Sequence, residues 1–297
     1  MSQPRPVGPP NPYRVSFDSD FKIRKARAQP PSDAPDKDAC KARLGELVQE
    51  MSELQRILYA HDNRALLLIF QAMDAAGKDS TIRSVLSGIN PAGCQVHSFK
   101  IPSAGELAHD FLWRSTVVLP ESGRIGVFNR SYYEEVLVVR VHPEMLQAEK
   151  LVSVPKKLDK LWAQRYESIR DHEKHLARND TVILKFWLNV SAEEQRNRLL
   201  SRLVEPEKNW KFDEGDIRER RCRDDYMEAY EDALNATSRE HAPWYAIPAD
   251  DKPYMCMTVA EIIVGALKNM DLHYPVVSGE ARQRFARMKR QLQRDKR

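Results

Sequence analysis

The sequence predicts an α/β fold built around a buried parallel strand. Two local observations carry that expectation. Leu66 to Phe70 is an apolar run without the alternation of a half-exposed strand, so it reads as a strand buried on both faces. The chain then turns through small residues to Gly77 and Lys78, after which Ile82, Val85 and Leu86 recur at helical spacing. Strand, glycine loop, lysine and helix in that order build a P-loop. Its backbone amides and helix N-terminus face a phosphate, and the lysine adds a mobile positive charge. A third observation is the alternation of further strand-like and helical segments downstream, the pattern of a parallel sheet.

A chain of 297 residues is long enough to bury a full core. Its 42% hydrophobic and 30% charged residues are ordinary for a soluble domain. The formal net charge is only +4, so any site for polyanions must concentrate cations locally. Cys40, Cys94, Cys222 and Cys256 have no paired spacing, which argues against a zinc site or a disulfide framework and for reduced thiols. No apolar run reaches membrane-spanning length, and MSQPRPVGPPNPYR does not read as a signal peptide. The expectation is a cytoplasmic protein with no membrane partner.

Taken in order, residues 1–36 are rich in proline and charge and read as an extended or disordered arm, with Tyr13, Val15, Phe17 and Phe21 available to pin it. Lys37 to His61 reads as a helix whose face of Leu44, Leu47, Val48, Met51, Leu54 and Leu58 packs on the sheet. The loop that follows the first strand departs from the pattern GxxxxGK[ST]. Ala72 replaces the first glycine, Asp79 replaces the hydroxyl residue, and Ser80 and Thr81 come one and two places late. Asp74 lies inside the loop, where a carboxylate beside phosphates makes sense only if it holds a divalent cation between them. On that reading Ala75, Ala76, Gly77, Lys78, Asp79 and Ser80 line the phosphate; the plainer alternative is a strand-turn-helix with a solvated lysine.

Asn90 to Gly93 is a turn, and Cys94 to Phe99 a second strand. Ser103 to Leu119 reads as a helix, with Leu107, Phe111 and Trp113 apolar and Glu106, His109, Asp110 and Arg114 on a solvated face. A third strand, Ile125 to Phe128, runs into Asn129-Arg130-Ser131-Tyr132-Tyr133-Glu134-Glu135. In P-loop proteins this strand usually ends in an acid that reaches magnesium; here it ends in an uncharged Asn129 beside Arg130. Glu134 and Glu135 begin the next helix, where the dipole alone would favour them.

Pro155 to Asn179 is a long amphipathic helix. Its His172 and His175 have one-face spacing but, set among Asp171, Glu173 and Lys174, read as solvated. Thr181 to Leu188 is the fourth strand, and Ser191 to Glu194 a capping box that opens a helix. From there to Arg223 cations dominate, interleaved with Trp210 and Phe212. That composition suits single-stranded nucleic acid, but its place after the fourth strand makes a mobile lid, at about 191–235, the better reading. Pro243 to Pro248 is the last strand, Val259 to Leu267 a closing helix, and 281–297 a basic helix or tail with a plain solvated reading.

With QAMDAAGKD, INPAG, SFKIPSAGELAHDFLWR, GVFNRSYYEEVLVVRVHP, RLVEPEKNWKF and HAPWYAIPADDK in register, the chain resembles the family 2 polyphosphate kinases over Leu44 to Pro275. The resemblance implies a P-loop kinase-like three-layer fold and reversible phosphoryl transfer between inorganic polyphosphate and AMP or ADP, or other purine nucleotides. Magnesium, or manganese in its place, is the implied cofactor. Asp74 would hold the metal, Lys78 grip the moving phosphate and Arg130 stabilise its charge. Arg198, Arg202, Lys208 and Lys211 would line the lid and a polyphosphate channel, and Lys100, Trp113, Arg114, Tyr133 and Glu134 the nucleotide. FNRS stands where much of the family has FDRS. It resembles the branch acting on both nucleoside mono- and diphosphates, and leaves open whether Asn129 or Glu134 and Glu135 meet the metal. A homo-oligomer, dimer or tetramer, without nucleic acid is expected. An ATP-dependent kinase of a small molecule, and a non-catalytic nucleic-acid-binding P-loop protein, are the competing readings.

Overall fold

The structure is a computed structural model that describes residues 8–18, 20–149, 151 and 153–294. Five strands, β1 (Ala65–Gln71), β2 (Cys94–Ser98), β3 (Ile125–Asn129), β4 (Thr181–Asn189) and β5 (Trp244–Pro248), form one parallel sheet in the order β2-β3-β1-β4-β5. β1 is central and wholly buried, as its unbroken apolar run requires. Phe70 lies beside both Asn129 and Phe186, so the phosphate loop and the end of β3 leave the sheet side by side. The chain passes from β3, on one side of β1, to β4 on the other; ligands of open parallel sheets bind at such a reversal.

The helices are α1 (Lys37–His61), α2 (Lys78–Val85), single turns α3 (Trp113–Thr116) and α4 (Val138–Val141), α5 (Asp159–Arg178), α6 (Ala192–Val204), α7 (Glu214–Arg221), α8 (Arg223–Thr237), α9 (Lys252–Asn269) and α10 (Gly279–Arg294). Asp36 caps α1 by accepting from the amides of Asp38 and Ala39, and Asp62 ends it in the left-handed region at φ 55°. The principal neighbour of α1 is α9, an almost wholly apolar helix that also contacts α2 and β5.

Two expectations change. Ser103 to Leu119 is not one helix but a 3-10 turn at Glu106–Ala108 followed by α3. Ser103 and Glu106 exchange backbone and side-chain bonds as a capping box that opens the 3-10 turn, but His109 ends it in extended backbone and Asp110 takes the amide of Leu112 at 2.9 Å, a local bond that competes with helix propagation. Glu173 is not on a solvated face: it is fully buried and pairs with Lys185 of β4 at 2.6 Å. Lys185 also donates to Tyr133 Oη and the Thr237 carbonyl, while Tyr132 and Tyr133 donate to the other oxygen of Glu173. A buried charge pair survives when its hydrogen bonds are made, and this one ties β4, α5 and the chain after β3 together. His172 is half-buried, edge-on to Tyr132, whereas His175 is exposed.

In the described part of the N-terminal arm, Val15 is buried and Arg14 bridges antiparallel to Tyr245, closing the β5 edge of the sheet. Phe21 packs edge-on to Trp187, Tyr13 bonds Tyr254, and Phe17 lies under Arg14. Residues 1–7 of the arm and 295–297 of the basic tail lie outside the described residues.

Candidate active site

The phosphate loop folds through two left-handed residues, Ala75 at φ 62° and Gly77 at φ 108°. The second value needs glycine, because a side chain there would be strained. Ser80 and Thr81, late in the motif, turn their hydroxyls back to the Gly77 carbonyl at 2.8 and 3.0 Å. Lys78 folds across the loop and donates to the Ala72 carbonyl at 2.7 Å. Desolvation, and then the charge of Arg130, pull its ammonium down to about 8, with Asp74 and Glu134 opposing.

Arg130 follows β3 in the left-handed region, φ 63°, with its amide on the Phe70 carbonyl. That turn aims its guanidinium back over the loop, where it donates to Asp74 at 2.8 Å and Glu134 at 2.9 Å. Those two carboxylates, Glu134 first, raise the Arg130 pKa. Gln71, oriented to satisfy both neighbours, donates to the second oxygen of Glu134 at 2.9 Å and accepts from the Ser131 amide at 3.1 Å. Asn129 donates to Asp79 at 2.5 Å and so joins the end of β3 to the start of α2. Across the cleft stand Glu219, Tyr226 and Tyr230, with Tyr226 donating to Glu219 at 2.6 Å. No local pattern links these three to a loop some 150 residues earlier, and the sequence reading missed them.

Several expected site residues sit elsewhere. Arg198 is buried and its five N–H donors all have protein acceptors: Glu194 and the carbonyls of Ala75, Ala76, Ala249 and Asp250. It is a strut beneath the loop, not a lining cation. Gln195 adds a bond to the Asp74 carbonyl at 3.1 Å, so α6 is fastened to the loop it was expected only to cover. Farther along, Arg202 pairs with Asp216, Lys208 with Glu205, and Lys211 lies over Trp210. Lys252, at the start of α9, was also missed; desolvation and then the charges of Arg198 and Lys208 lower its pKa.

Tyr133 is fully buried on Glu173 and Thr237, which removes it from a nucleotide surface. Arg114 is likewise buried, donating to Glu135 at 3.0 Å and to the Lys100 carbonyl at 2.8 Å. Glu135 lies between Arg114 and Arg165, and burial pushes it up to about 7. A carboxylate committed to two arginines does not fit the expected metal ligand. Trp113 remains half-exposed and stacks on His109 at 3.9 Å, and the Lys100 side chain is exposed.

Among the described residues no three His, Cys, Asp or Glu side chains converge to cage a metal. Magnesium is nevertheless commonly held by one carboxylate together with substrate phosphates. Asp74, 24% exposed at the mouth of the loop, fits that mode.

A parallel sheet whose central strand ends in a glycine-lysine loop, with an arginine turned over it, defines a P-loop phosphotransferase site. The polyphosphate kinase 2 family matches residues 34–275, and the chain belongs to that family. It is 56% identical over 245 residues, 82% of this chain and 85% of the other, to an ADP-polyphosphate phosphotransferase of Rhodopseudomonas palustris. It is 43% identical over 264 residues, 89% and 94% of the two chains, to an AMP/ADP-polyphosphate phosphotransferase of Meiothermus ruber. The crystal structure of polyphosphate kinase 2 from Arthrobacter aurescens superposes with a TM-score of 0.85 at 36% identity, covering 94% of this chain and 95% of that one.

Proposed function

We propose that this chain transfers the terminal phosphoryl group of inorganic polyphosphate to AMP and to ADP, and runs the reverse reaction. The observation that carries the proposal is the Asp74–Arg130–Glu134 ion cluster facing Lys78 at the ends of β1 and β3. Support for polyphosphate and nucleotide as the pair comes from the names of the relatives, one naming ADP and one naming both AMP and ADP.

In the reaction the terminal phosphoanhydride P–O bond breaks and a new P–O bond forms to an acceptor phosphate oxygen, leaving the polymer one unit shorter. Such transfers are mostly positioning and charge neutralisation. Loop amides and the α2 N-terminus cradle the donor. Lys78, held at the Ala72 carbonyl by one bond, can exchange it for a phosphate oxygen and follow the moving group. Arg130, fixed from both sides, presents its remaining donors to the same charge. Bound magnesium, which Asp74 would hold, supplies further charge neutralisation.

The test is to incubate the protein with polyphosphate, magnesium and AMP or ADP. Formation of ADP from the first and ATP from the second is expected. Transfer from ATP but not from polyphosphate would instead make it an ATP-dependent kinase. Asp74→Asn is expected to raise the magnesium concentration needed for half-maximal rate about tenfold or more, a loss on the scale of one charged bond. An unchanged magnesium profile would remove Asp74 from that role.

A further inference from the structure

The family match ends at residue 275, and α10 begins at Gly279, beyond it. No residue of α10 is buried. Yet Ala281, Phe285, Met288 and Leu292 recur at spacings of four, three and four, within a sector about 60° wide at 3.6 residues per turn. Phe285, Met288 and Leu292 are 52%, 51% and 72% exposed. Arg282 and Lys289 flank this stripe on one side and Arg284 on the other, while Arg287, Arg290 and Arg294 cover the back; Glu280 is the helix's one acid.

Three occupants can be weighed by chemistry. A second α10 would cover the stripe, but Arg282, Arg284 and Lys289 hold the flanking positions that face their counterparts in a helix pair, so like charges would meet. Polyphosphate would satisfy the cations and leave three large apolar side chains in water. An anionic lipid surface satisfies both. The stripe enters the headgroup–acyl boundary while the flanking cations extend to lipid phosphates. Tyr274, Val276 and Val277, in the connection before α10, are also exposed and add to the same kind of contact.

We infer that α10 is a membrane-surface helix that seats this protein on an anionic leaflet. The expectation of no membrane partner rested on the lack of a spanning segment, and among the described residues no helix is long and apolar enough to cross a bilayer. A helix lying in the interface needs no such length.

The full chain should be sedimented with vesicles of phosphatidylcholine alone and of phosphatidylcholine with phosphatidylglycerol. Binding to the second only, weakened at high salt, is expected. Phe285→Ser with Leu292→Ser should lower the vesicle partition about tenfold or more, with phosphoryl transfer and thermal midpoint unchanged. Arg282→Gln with Lys289→Gln should lower it as well. Failure to bind, equal binding to both vesicles, or undiminished binding by the Ser variant would overturn the inference. So would two other results without vesicles. One is a smaller sedimenting species for the Ser variant, which would make the stripe an interface between copies. The other is a raised KM for polyphosphate in the Gln variant with no lipid binding, which would make the helix a handle for the polymer.

Discussion

Lys78 and Lys185 are both desolvated lysines with ammonium groups pulled down to about 8, yet they sit in opposite circumstances. Lys185, in the middle of the sheet, has a carboxylate at 2.6 Å, a phenol and a carbonyl, all supplied by the protein. Lys78, at the start of α2, has among the described residues a single carbonyl within hydrogen-bonding distance; of its acidic neighbours Asp74 and Glu134 are engaged by Arg130 and Asp79 by Asn129. Low dielectric raises the cost of an uncompensated charge in both places. In one the fold has met that cost, and the charge is structural. In the other the protein leaves much of the compensation open, as the proposed phosphate-binding role of Lys78 requires.

Substitution breaks the comparison most sharply. Lys78→Ala is expected to lower kcat/KM about 10²–10³-fold, with the chemical-denaturation midpoint nearly unchanged. Lys185→Met should do the reverse, costing about 3–5 kcal/mol of stability because Glu173 is left buried and unpaired. Adding Glu173→Leu should recover much of that loss. Denaturation curves and initial rates on the same preparations decide it. If Lys78→Ala unfolds the protein as readily as Lys185→Met, the two sites are not different in kind.

Glu134→Asn tests the carboxylate side of the site. Glu134 cannot touch phosphate itself, since like charges repel, but it holds Arg130 and Gln71 in place. The expected result is a fall in kcat/KM for AMP about tenfold greater than for ADP, with polyphosphate saturating. Equal losses would make Glu134 a general support for Arg130.

The smallest expected effect is a proton count. Lys78 sheds its proton near 8 in the free protein, well below an ordinary lysine, and a bound polyanion favours the ammonium form. Binding of polyphosphate should therefore take up a fraction of a proton at pH between about 8 and 10 and almost none near pH 6.5. Calorimetry in buffers of different ionisation enthalpy measures this, and Lys78→Arg should abolish it. Uptake that persists in Lys78→Arg would have to come from another group, and would sink the assignment.

What the sequence determined by itself was whatever depends on neighbours along the chain. The five strands, the glycine-lysine loop and the helix from Lys37 to His61 follow from periodicity and turn chemistry, and Leu66 to Phe70 lies at the centre of the sheet as its composition demands. The polyphosphate kinase resemblance was equally legible, because its segments are contiguous. Only the tertiary structure could separate Glu134 from Glu135. They are adjacent on one 3-10 turn, but one faces Arg130 in the cleft and the other Arg114 and Arg165 in the interior. It also turned Arg198 from a lining cation into a strut, and Glu173 from a solvated acid into the core partner of Lys185. The lone lysine in TVILKFWL was a visible sign that a buried partner must exist, though not of which acid it would be. A charge's role depends on its partner and on the water around it, and both are set by elements remote in sequence that only the packed fold brings together.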